Sequence, residues 1–345
     1  MEALEKLLQG WIGERLLPGA ALRVVREGRV CYSLDAGATS IADGQPITKD
    51  TLFDLASLTK VTATLPALLL LMQEGLLAPD DRVGAFFPDC PPDKAAITIG
   101  QLLAHTSGLP ADLETRRRDS EIVLPELLYR QQLLQKPGER VVYSDLGMIW
   151  LGLLIERVAG QPLDAFVAQR VFAPLGMAHT CYCPDGRCFL NIAKTEYCSL
   201  TSAYICGEVH DEKAFAMGGV AGHAGLFATA DDLCLYAQSW LYNEPPLLAE
   251  HWRELAVRNH AGQAGESRGF GWELNQAGTT LSCGDHFHPA SYGHTGFTGT
   301  SIWIDPVREL AVIFLTNAVH LGRNHQLRQL RPILHNAVTT ALQTV

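Results

Sequence analysis

The sequence predicts a mixed α/β (α+β) fold, with an antiparallel sheet flanked by helices and assembled from both ends of the chain, and a mainly helical lobe inserted between them. Three observations predict it. Short β-prone apolar runs occupy residues 20–25 and 30–34, and a second pair occupies residues 301–304 and 310–315. The long stretch between these pairs places apolar residues at helical spacing and is punctuated at Pro79, Pro91-Pro92, Pro137-Gly138 and Pro245-Pro246.

The elements follow in order. Residues 4–16 repeat apolar side chains every three or four positions, which reads as an amphipathic helix. Residues 20–25 and 30–34 pair as a hairpin about a Glu27-Gly28 turn. Residues 65–71 form an apolar run interrupted by Pro66 and followed by Gln73 and Glu74, too short to span a bilayer and therefore a buried helix. A helix is expected over residues 146–158 with Asp145 as its N-cap. Another opens at Thr229-Ala230-Asp231-Asp232, a capping-box pattern with Asp in place of Glu. The last strands join through Asp305-Pro306, and a helix over about residues 326–342 closes the chain. On this reading one α/β lobe covers about residues 1–75 and 265–345 and a helical lobe about residues 76–264, with a cleft at their junction.

At 345 residues, about half of them apolar, the chain can bury one large core or two lobes sharing an interface, as a compact enzyme does. The net charge of -10 repels phosphates, so neither nucleic acid nor an anionic membrane is an expected partner. Arg116-Arg117-Arg118 reads as a solvated face. The amino terminus lacks a basic-then-apolar signal pattern, and the nine cysteines, an odd number, suit reduced thiols, so the chain reads as cytoplasmic. Five of them crowd one segment as Cys181, Cys183, Cys188, Cys198 and Cys206, flanked by His179 and His210. A metal centre competes there with free thiols, but Cys-x-Cys-x4-Cys lacks the paired Cys-x2-Cys of structural zinc, and neither metal nor cofactor is expected.

Three segments carry chemistry. Ser57 and Lys60, in Ser57-Leu58-Thr59-Lys60 at the entrance of the apolar helix, fall one turn apart on one face, so the amine can reach the hydroxyl. Alone the pattern is weak, because 13 serines and 7 lysines generate about a quarter of one such match by chance, and a cap followed by a surface lysine explains it equally. Pro137-Gly138 and a short extended run deliver Tyr143 just before a helix, where it is either a general base favoured by a nearby ammonium or a packing aromatic. Gly293-His294-Thr295-Gly296-Phe297-Thr298-Gly299 lets a substrate lie against bare backbone, with the amides of Ser57 and Phe297 as an oxyanion hole, or is simply a glycine-rich entry to a strand.

In this order and at these separations, Ser57-x-x-Lys60, Tyr143-Ser144-Asp145 and His294-Thr295-Gly296 resemble the three motifs of the β-lactamase and penicillin-binding superfamily, which includes class C β-lactamases, D-alanyl-D-alanine carboxypeptidases and related esterases. The stretches Leu102-Leu103-Ala104-His105-Thr106-Ser107-Gly108 and Ala224-Gly225-Leu226-Phe227-Ala228 are similar to recurrent segments of class C-like members. The resemblance implies a β-lactamase/transpeptidase-like fold and an acyl-enzyme on Ser57. It also implies Lys60 and Tyr143 as shared base and acid, Ser57 and Phe297 amides as the oxyanion hole, and Asp145, His294, Thr295 and Gly296 against a small-molecule ester, amide or β-lactam.

Two departures bear on substrate. The motif's usual Asn is Asp145, which when ionised only accepts, and the usual Lys of the third motif is His294, only partly charged near neutrality. Both favour an esterase or D-alanyl peptidase over a dedicated β-lactamase. A catalytically silent binding protein of the same fold is the rival reading. His210-Asp211 reads as a hydrogen-bonded structural pair or a loop-orienting one, and His105 as a buttress rather than a catalyst.

Overall fold

The computed structural model describes residues 2–113, 124–184, 191–262, 264–275 and 282–343; Arg116-Arg117-Arg118 and Cys188 lie outside the described residues. Its main sheet has six strands in the order Arg29–Gly37, Gly19–Arg26, Leu310–Thr316, Ser301–Asp305, Tyr292–Thr295 and Glu273–Leu274. All neighbours are antiparallel. At the centre, the amino-terminal strand pairs along its length with the carboxy-terminal one, from Ala20 opposite Thr316 to Arg26 opposite Leu310. The two ends of the chain therefore close the sheet together. The hairpin is longer than its apolar runs, Gly19–Arg26 with Arg29–Gly37, and carries a register shift between Val24 and Val25.

Both faces of the sheet are covered, which is why its central strands are apolar throughout rather than alternating. On one face Leu22, Val24, Val312 and Phe314 meet Leu4, Leu8 and Trp11 of the helix Glu2–Gly13 and Leu334 and Val338 of the helix Leu327–Gln343. On the other, Ala21, Val25, Ile313 and Leu315 join the large core with Leu68 and Leu71 of Leu65–Gln73 and Tyr236 of Ala230–Tyr242.

That last helix departs from the expected partition, because residues 76–264 were to form the helical lobe and yet Ala230–Tyr242 packs on the sheet. Arg23, 2% exposed, fixes it there by pairing with Asp231 at 2.5 Å and with Asp35 at 2.7 Å. A guanidinium that cannot reach water is costly unless matched by carboxylates, and the first turn of this helix supplies the second one.

Two helix starts differ in detail from expectation. Ser144, not Asp145, caps Asp145–Ala159, accepting from the Gly147 amide at 3.3 Å and donating to the Pro110 carbonyl at 2.6 Å. Thr229 does cap Ala230–Tyr242 through the Asp232 amide, but the Asp232 carboxylate turns away to accept from the His179 amide and the Thr180 hydroxyl. Among the described residues no helix is long and apolar enough to cross a membrane.

Candidate active site

Ser57 follows the two-residue strand Phe53–Asp54 at a tight turn. The buried Asp54 carboxylate shapes that turn, accepting from the Ala56 amide at 2.8 Å and from the His210 amide at 2.7 Å. Ala56 is thereby held in the left-handed region at φ 47°, a strain of about 1 kcal/mol or more for a residue with a Cβ. Helical conformation begins at residue 58, so Ser57 stands just outside the helix rather than within its first turn. Lys60 opens a wide π-type turn, Lys60–Thr64, that leads into Leu65–Gln73.

Lys60 is wholly buried. Its ammonium donates to Ser57 Oγ at 2.8 Å and to the His223 carbonyl at 3.0 Å, and pairs with Asp145 Oδ1 at 2.8 Å. Two of its protons thus meet hydrogen-bond acceptors, and Asp145 balances its charge. Burial opposes the charge, but Asp145 and Tyr143 outweigh it and raise the lysine pKa. The His223 carbonyl reaches Lys60 because Gly222 lies against Gly152 and the Met148 carbonyl, where any Cβ would collide.

Tyr143 is gripped from both sides by one histidine. The Val142 amide donates to the His105 carbonyl at 2.8 Å, the Ser144 amide donates to His105 Nδ1 at 3.1 Å, and the two rings lie 4.6 Å apart. His105 is therefore a buttress, and burial, with Arg268 and Lys60 nearby, keeps its imidazole neutral well below the usual range. The Tyr143 ring stands 5.1 Å from the Lys60 ammonium and 5.8 Å from the His294 ring.

The glycine-rich segment is pinned to the serine turn by two hydroxyls: Thr298 donates to the Asp54 carbonyl at 2.7 Å and Thr300 to the Leu55 carbonyl at 2.9 Å. A Cβ on Gly296 would run into the Leu55 carbonyl and the Thr300 hydroxyl, so this close approach requires glycine. Behind it, buried Arg331 donates to the carbonyls of Gly296 and Thr300. Among the described residues neither the Ser57 amide nor the Phe297 amide donates to another protein group. Ser57, Tyr143, Asp145, His294, Thr295, Gly296 and Phe297, the cleft-facing residues singled out from the sequence, line one cleft of ≈ 950 Å³, with Lys60 beneath it.

The charges in this cleft differ from those read off the motifs. His294 is not partly charged: burial, reinforced by Lys60 and Arg268, pushes its pKa down to about 3. Arg268 is one of several cations that line the cleft, 5.7 Å from the Tyr143 ring, with its Nη2 paired to Glu266 at 3.1 Å and its Nε buried and without a protein partner. Asp145 is ionised, since burial is outweighed by Lys60, His223 and Lys213, which hold it at about 2. Lys213 itself lines the cleft between Asp112, Asp211 and Asp145.

His210 and Asp211 do not pair with each other, because each faces a different neighbour. His210 Nε2 lies 3.1 Å from Glu196, while Asp211 lies 2.8 Å from His223 Nε2 and caps the helix Glu212–Ala216. Sequence reading missed Lys213, Arg268 and His223 altogether. Their partners come from remote segments, and no local spacing marks them. Among the described residues, the cysteine segment brings no three metal-binding groups together. The one convergence, Asp145, Asp211 and His223, is already matched by the ammonium groups of Lys60 and Lys213.

A serine bonded to a buried lysine, beside a tyrosine and two open backbone amides, defines the class as a serine hydrolase of the β-lactamase type. The Beta-lactamase family model matches residues 4–335, and the chain belongs to that family. It is 35% identical over 90% of its length to a protein of Escherichia coli (strain K12) named "Putative D-alanyl-D-alanine carboxypeptidase", of which it covers 81%. A Salmonella paratyphi B protein of the same name is 32% identical over 91% of this chain and 82% of its own. The fold is shared with the hydrolase EstCE1 (TM-score 0.76, 24% identity, covering 96% of this chain and 98% of that one). A class C β-lactamase also matches, with TM-score 0.76, 19% identity and coverage of 98% of this chain and 97% of that one.

Proposed function

We propose that this protein hydrolyses acyl esters or D-alanyl-type peptides through an acyl-enzyme on Ser57, preferring substrates whose leaving group carries a carboxylate. The observation that carries the reading is Lys60, buried, charged and bonded at 2.8 Å to Ser57 Oγ. Because Lys60 donates to that oxygen, the serine proton points elsewhere, and the reacting form is the one in which the Lys60–Tyr143 pair has already given up one proton and can take this one. Ser57 Oγ then attacks the substrate carbonyl carbon, and the proton passes to the Tyr143–Lys60 pair. The oxyanion is held by the Ser57 and Phe297 amides. Collapse breaks the carbonyl–leaving-group bond as the leaving group takes that proton, and water repeats the sequence on the acyl ester.

Arg268 supports the preference for a carboxylate, since a buried guanidinium with a free Nε beside the third motif suits a planar anion. His294, held neutral, cannot supply that charge. The ester branch has its own support in Asp145: paired to two lysines, it offers no donor to a substrate amide carbonyl. Comparing a D-alanyl-D-alanine peptide with the matching D-alanyl-D-lactate depsipeptide separates the two branches. With nitrophenyl acetate or a fluorophosphonate, intact mass is expected to show one adduct on the wild type and none on Ser57→Ala, and Lys60→Ala is expected to lose turnover. An unmodified wild-type mass with both reagents and with penicillin would sink the reading.

A further inference from the structure

Lys213 occupies the second position of the short helix Glu212–Ala216, whose cap Asp211 accepts from the amides of Lys213 and Ala214 at 3.0 and 2.9 Å. A cation at the amino-terminal end of a helix opposes the backbone dipole, so local structure does not explain a buried ammonium there. Three carboxylates do. Its Nζ lies 2.9 Å from Asp112, 3.1 Å from Asp211 and 3.5 Å from Asp145 Oδ2, and its side chain is 5% exposed. Asp145 therefore bridges two lysines, one oxygen on Lys60 at 2.8 Å and the other on Lys213. The circuit closes through Asp211, which holds His223 Nε2 at 2.8 Å, and through the His223 carbonyl, which accepts from Lys60 at 3.0 Å.

We propose that Lys213 is a positioning residue for acylation: by engaging the far oxygen of Asp145 it offsets that carboxylate's charge beside Lys60 and sets the pH at which the Lys60–Tyr143 pair can accept the Ser57 proton. The inference rests on the roles assigned to Ser57, Lys60 and Tyr143 above. A carboxylate alone beside Lys60 disfavours both a phenolate on Tyr143 and a neutral amine on Lys60, whereas a second ammonium favours both. The sign is thus the same whichever of the two holds the proton. Arg268, His294 and His105 also face Tyr143. Both histidines remain neutral and Asp145 and Asp211 remain ionised through the working range, so none of these titrates in its place. His223 also faces this carboxylate, its Nε2 lying 2.8 Å from Asp211 and a ring nitrogen within 4.8 Å of an Asp145 oxygen, so it acts on Asp145 beside Lys213 in wild type and variants alike.

The test is the acid limb of kcat/KM for nitrophenyl acetate in wild type, Lys213→Met, Lys213→Arg, Asp145→Asn and the Asp145→Asn/Lys213→Met pair. Removing one buried cation is expected to move the limb up by about one pH unit. Lys213→Arg is expected to follow wild type, Asp145→Asn to move the limb down, and the pair to return close to wild type. A wild type that acylates Ser57, with a Lys213→Met limb that coincides with it, overturns the role of Lys213 and leaves the serine reading standing. A wild type that never acylates overturns both. Should circular dichroism find Lys213→Met unfolded, the charge-balanced pair against Asp145→Asn decides: an upward displacement supports the role, and coincident limbs overturn it.

Discussion

At the scale of single residues, the site is a set of charges whose signs are decided by burial. Arg268 and His294 make the point together. The side chain that the third motif offers as a cation is neutral, and Arg268, a guanidinium of the same cleft, lies 26 residues earlier in the chain. Arg268→Ala is accordingly expected to lower kcat/KM for a carboxylate-bearing depsipeptide by about 10- to 100-fold, the worth of one charge-assisted hydrogen bond. Nitrophenyl acetate, whose leaving group has no carboxylate, is expected to change by less than about 3-fold. Equal losses on both substrates, measured by initial rates, would place Arg268 in support of Tyr143 instead.

At the scale of elements, caps and close approaches position the groups that line the cleft. Ser144 caps its helix so that Asp145, the next residue, points back to the lysines rather than serving as the cap. Thr229 does the same job far from the cleft, and its carboxylate neighbour Asp232 ties in residues 179 and 180. Thr229→Ala is expected to lower unfolding free energy by about 1 kcal/mol, read as a urea midpoint, with kcat unchanged. Much of this scale was legible beforehand. Apolar periodicity located the terminal helices and the long middle ones, and the β-prone runs located the central strands. Capping was legible only in part, because Ser144 and Asp145 are both good cap residues and the buried Lys60 decides between them.

At the scale of the whole molecule, both covering layers hold histidines in their neutral form. His105 lies in the helical region, His294 in the sheet and His335 in the carboxy-terminal helix, and all three are buried. Burial, with nearby cations, lowers His294 to about 3 and His335, where it is partly offset by hydrogen bonding, to about 4, and takes His105 well below its usual value. In the unfolded chain the same groups protonate near pH 6.5. Their contribution is therefore complete above that pH and is lost as the pH falls toward the folded values. Unfolding free energy is expected to drop by a few kcal/mol, order of magnitude, between pH 6.5 and 5. A flat urea midpoint across that interval would contradict it.

The sequence by itself determined the reaction class, the sheet closed by both termini, and Ser57, Lys60 and Tyr143 as the set to bring together. Each of these is written in local spacing or in three motifs whose order survives in one dimension. Only the tertiary structure decided what those residues feel. Lys213 meets Asp145 across 68 positions, Arg23 meets Asp231 across 208, and Ala230–Tyr242 lies on the sheet through that pair and its buried Leu233, Tyr236 and Ala237. Burial and long-range ion pairing set protonation, and neither has a period or a motif for a sequence to carry.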